Sequence, residues 1–153
     1  MSGSAIFSTK SEPGTLRTFA SLRFTGDRLE PSRVTAILGV APTTAYRKGE
    51  IYKEGRGQQA RGRTGVWVLS SDGHVTDADL DRHLKYLLAV LSADNSEKRM
   101  TQLHELMREA QLRADVTCFW YGKPGSPAPL ISESTRIALA RLPAKIETDF
   151  HTD

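Results

Sequence analysis

The chain is poor in the residues that would narrow its chemistry quickly. It has a single cysteine, Cys118, among 153 residues, so no internal disulfide can form and no cysteine-based zinc site is available. No apolar run approaches the ~20 residues that cross a bilayer as a helix. The opening "MSGSAIFSTKSEPG" has neither the basic start nor the apolar centre of a secretory signal, and residues 1–14 read as a polar, disordered lead-in. There is no Gly-Lys-Ser/Thr phosphate loop, and no nucleophile elbow surrounds Ser70 or Ser71. His74, His83, His104 and His151 lack metal-ligand spacing. These absences point to the cytosol and away from a metal, a cofactor or a legible catalytic set.

What is present is the composition of an ordinary globular domain, 39% hydrophobic and 25% charged. Residues 15–153 are expected to form one domain, long enough to bury a substantial core. "TLRTFASLRFTGD" (15–27) alternates, with Leu16, Ala20, Leu22 and Phe24 on one face and Arg17, Ser21 and Arg23 on the other, as a half-buried strand does. "EPSRVTAILGV" (30–40) reads as a short helix entered through Pro31 and ended by Gly39. A β-branched and aromatic strand follows in "TGVWVLSSDG" (64–73), with Trp67 at its centre.

The leucine-rich stretch 75–95 is the clearest helix. Thr76 and Asp79 have capping-box spacing. Asp77, Asp79 and Asp81 copy the first ligand positions of a calcium loop. Arg82 stands where the loop needs glycine, so helix capping accounts for them better. A second helix is expected over 96–111, a strand over 114–122, a short helix from Ser132 and a last strand over 144–152. This order specifies an α+β fold: a mostly antiparallel sheet with helices on one face. A ferredoxin-like topology fits it.

The charge is unevenly spread. The net charge is +3, yet residues 46–64 carry six basic side chains against two acidic, leaving fifteen basic against sixteen acidic elsewhere. The six are Arg47, Lys48, Lys53, Arg56, Arg61 and Arg63. Such a concentration marks a surface for an anionic partner. Gly55-x-Gly57-x-x-Ala60 has the letters of a dinucleotide fingerprint, but a strand follows where that motif requires a helix, so the cradle is rejected. The plainer reading is a solvated hairpin tip.

Several of these pieces together resemble the uncharacterised bacterial family "domain of unknown function 4279". They are "FASLRFTGD", "PSRVTAILGVAPTTAYRKGE", "GVWVLSS", "LDRHLKYLLAVL" and a final strand at "IETDF", in this order across residues 16–151. Phe150 stands where the family's tyrosine is expected, and "GRGQQARGRT" is more basic than its usual loop. The resemblance implies a small bacterial α+β domain and no particular activity.

The residues favour a non-enzymatic interaction domain, of an immunity or regulatory kind. Its binding set is Arg47, Lys48, Lys53, Arg56, Arg61, Arg63 and Trp67, and its expected partner is a protein with an acidic face. Nucleic acid held by the same Gly/Arg loop is the alternative. An enzyme is the third class, and would need the fold to bring together distant residues such as Arg47, Trp67 and Asp149. No membrane contact is expected.

Overall fold

The computed structural model describes residues 14–54, 57–93 and 96–152. Among them lie seven strands and four helices in the order β1 (Thr15–Gly26), α1 (Pro31–Leu38), β2 (Thr44–Tyr46), β3 (Ile51–Lys53), β4 (Gln59–Arg61), β5 (Gly65–Ser70), α2 (Leu80–Ser92), α3 (Ser96–Ala110), β6 (Arg113–Gly122), α4 (Glu133–Ala140) and β7 (Lys145–Thr152). Five strands form one sheet in the order β2-β5-β1-β6-β7, and β3 and β4 pair separately as a hairpin.

The first four strands of that sheet interlock as two split β-α-β units. β1 and β2 are both antiparallel to β5, which lies between them. β5 and β6 are likewise both antiparallel to β1. That arrangement is ferredoxin-like. Helix α4 then adds β7 parallel to β6, the geometry of a simple β-α-β crossover. Thr15 and Thr152 both sit in register with Gly122, one on each side of β6.

Strand alternation sorts the side chains. Ala20, Leu22, Phe24, Trp67, Leu69, Val116 and Cys118 point to the helix layer and are at most 1% exposed. Leu80, Leu84 and Leu87 of α2 meet them from above, with Val34 and Leu38 of α1 and Leu103 of α3 beside them. Trp67 stacks edge-on to Phe24 at 5.9 Å, and its indole N–H donates to Thr35 Oγ1 at 3.1 Å, so its polar atom is not stranded. Cys118 is fully buried, and that burial pushes its thiol up to about 11.

One buried polar relay crosses this core. The Ala20 N–H donates to Ser71 Oγ at 2.8 Å, Ser71 Oγ lies 2.6 Å from His83 Nδ1, and His83 Nε2 lies 2.7 Å from the carbonyl of Asp77. A carbonyl can only accept, so Nε2 carries a proton, and in the neutral imidazole Nδ1 then accepts from the serine. Every buried side-chain polar atom among the described residues is satisfied.

Helix α1 starts at Pro31 and ends at Gly39, whose φ of 71° suits a left-handed C-cap. Helix α2 begins later than its spacing predicts. Asp79 caps it by accepting from the Asp81 N–H, and Asp77 accepts from the Asp79 N–H in turn. Two successive aspartate turns therefore take the place of the Thr76 box. No helix is long and apolar enough to cross a membrane among the described residues.

Candidate functional site

The basic segment folds as an arm that continues the β2–β5 hairpin beyond the sheet. Gly49 N–H donates to Gly62 O and Gly62 N–H to Glu50 O, both at 2.8 Å, carrying the pairing into β3 and β4. The glycines serve backbone geometry. Gly49 (φ 83°) and Gly57 (φ 77°) occupy the left-handed region, and a Cβ on Gly62 would lie 2.8 Å from both the Arg47 carbonyl and the Tyr46 ring. Tyr46 and Tyr52 stack face to face at 4.0 Å, bracing the arm against the sheet. Burial and the neighbouring Tyr52 hydroxyl raise the Tyr46 phenol above its ordinary range.

The six predicted cations divide by environment. Arg47 pairs with Glu30 at 2.8 Å and Lys48 with Asp27 at 3.1 Å, so both fasten the base of the arm to the β1–α1 loop. The Thr64 hydroxyl, with Lys48, holds the Asp27 carboxyl below the usual range. Arg61 donates to the Gly49 carbonyl at 2.8 Å. Lys53 and Arg63 are exposed and make no ion pair with any described residue. Arg56 lies outside the described residues. Ile51 is 55% exposed; with β3 and β4 in register it shares a face with Lys53, Gln59 and Arg61, opposite Tyr52 and Ala60.

Trp67 does not belong to this surface. Its exposure is 0% and it faces the helices, so it cannot stack on a partner. Nor does the fold assemble an enzyme site from Arg47, Trp67 and Asp149. Trp67 points into the core from β5, whereas Asp149 lies on the other face of the sheet, on edge strand β7.

That other face is the feature the residue patterns left unremarked. Among the described residues no helix covers it. It carries the Phe19–Phe119 stack (4.7 Å), the Arg17 guanidinium 5.1 Å from the Phe19 centroid, and the Arg23–Asp115 pair at 3.2 Å. Ser21, Thr117 and Glu147 form a polar row across β1, β6 and β7. The signal was available: Phe19 falls on the polar face of a strand whose other face is already apolar.

The family model described as Domain of unknown function (DUF4279) matches residues 15–153. The chain belongs to this family. The match spans the whole ferredoxin-like unit together with the arm and β7, so the arm is inserted within the DUF4279 domain itself. No curated protein and no solved structure matches the chain.

Proposed function

We propose that this DUF4279 chain is an interaction domain of the bacterial cytoplasm, of an immunity or regulatory kind, and that its arm, residues 47–63, grips an acidic face of a protein partner. The carrying observation is that the charge excess is concentrated on a projecting hairpin, where exposed Lys53 and Arg63 make no ion pair with any described residue. Guanidinium forks suit carboxylate pairs, and exposed Ile51 adds an apolar anchor beside them.

Nucleic acid would use the same cations, but its bases need free aromatic faces. Tyr46 and Tyr52 already stack on each other, which favours the protein partner. The test replaces Arg56, Arg61 and Arg63 together by alanine. Partner recovery on the immobilised protein is expected to disappear while the melting temperature stays within about 2 °C, since exposed charges contribute little to stability. Unchanged recovery sinks the reading. Anisotropy with labelled single- and double-stranded oligonucleotides at low and moderate salt separates the alternative: steeply salt-sensitive binding lost in the same variant would put nucleic acid first.

A further inference from the structure

A cavity of about 710 Å³ opens at the start of β1, the opposite end of that strand from the arm. Its apolar wall is the loop between β6 and α4, including Pro127, Pro129, Leu130 and Ile131. Leu130 is 89% exposed, a large apolar side chain presented to solvent.

This loop is held in place. Asp81, only 8% exposed, accepts from the Ser132 N–H at 2.9 Å and pairs with Lys85 at 3.2 Å. Burial alone would raise the Asp81 carboxyl. The Ser132 backbone, Thr135, Lys85 and the Ser132 hydroxyl outweigh it and hold the group below its usual range. Ser132 in turn caps α4 by accepting from the Thr135 N–H. The wall is therefore pre-formed, which spares a ligand the cost of ordering it.

Two charges of opposite sign line the same cavity. One oxygen of Asp79 accepts from the Asp81 N–H, and the carboxylate makes no ion pair with any described residue. The Arg136 guanidinium likewise has no partner among the described residues. An apolar wall that shares its cavity with a carboxylate and a guanidinium, neither in an ion pair with a described residue, is complementary to a chain segment with the reverse charges.

We infer that this cavity is a second docking site, for a short peptide segment of a protein partner in which an apolar side chain lies between a cationic and an anionic residue. The cation faces Asp79, the anion faces Arg136, and the apolar side chain packs on Leu130 and Pro129. The cavity volume lies within the range that encloses ligands of tripeptide size. The site does not depend on the arm.

The probe is the blocked tripeptide acetyl-Lys-Leu-Glu-amide, titrated into the full chain by heteronuclear NMR. Amide shifts are expected at residues 79–81 and 126–136 and not on β3–β4. Asp79→Asn, which keeps a good helix cap, and Arg136→Gln should each weaken binding about tenfold. The Gln-Leu-Glu peptide should bind the parent more weakly but bind Asp79→Asn no worse than Lys-Leu-Glu does; Lys-Leu-Gln should stand in the same relation to Arg136→Gln. No shifts at millimolar peptide, shifts that map elsewhere, or affinities indifferent to both charges would overturn the site. Arm variants that lose their partner but keep this binding would separate the two sites.

Discussion

The two faces of the sheet are made by the same strands and have opposite fates. On the helix side Phe24, Trp67 and Leu22 are essentially sealed and their polar atoms are paired. On the other side Phe19 and Phe119 remain partly exposed and stack on each other, with Arg17 over Phe19 and the His151 ring beside Phe119, next to ion pairs in water. A residue one position along a strand changes from structural filler to surface. The lesson for function is that an aromatic residue in a strand means little until its face is known: Trp67, included in the expected binding set although its mid-strand place suits core filling, is core, whereas Phe19 lies on the open surface.

The sharpest way to break this contrast is to truncate one aromatic on each side. Trp67→Ala should cost about 3–5 kcal/mol, because a large cavity opens under packed helices. Phe119→Ala should cost about 1–2 kcal/mol, because its surroundings are already partly wet. Urea denaturation of both variants checks this, and equal losses would mean that the open face is covered in solution. Next comes the polar relay. Ser71→Ala removes the acceptor of the Ala20 N–H and the donor to His83, and stranding buried polar groups should cost about 1–3 kcal/mol. A cost near zero would show that water enters there.

The smallest effect concerns pH. The Asp81 carboxyl is lower in the folded chain than its ordinary value of 3.8. A depressed acid stabilises the fold above the unfolded pKa, and that contribution disappears as the pH falls through the folded one. Melting temperatures measured from pH 6 down to 2 should therefore fall less for Asp81→Asn than for the parent below about pH 4. Parallel curves would deny the anchor that holds the Pro-rich loop.

Much of the fold was legible because the long elements announce themselves. β1 and β6 alternate over ten residues or more, and α2 repeats leucine at helical spacing. The arm was legible as charge and glycine but not as strands, since three-residue strands are too short to show a period. The start of α2 was misplaced because Thr76, Asp77 and Asp79 are all competent caps, and local geometry chose Asp79. Arg47 and Lys48 stand in the expected binding set, and the sequence names no ion-pair partner for either. Their partners, Glu30 and Asp27, are about twenty residues away, and only the packing of the β1–α1 loop against the arm brings them together. Lys53 and Arg63, exposed and in no ion pair with a described residue, are the part of the expected surface that the fold leaves available.

Thr15 and Thr152 flank the same residue of β6, so the two ends of the domain leave one side of the sheet about 10 Å apart, two strand spacings. A mechanical load applied through those ends would pull across the strands. β7 would peel from β6 one hydrogen bond at a time, and the core beneath would yield at low force despite its packing. The same proximity lets a short linker join the ends, so that the chain could be reopened at the tip of the arm without cutting any strand of the main sheet.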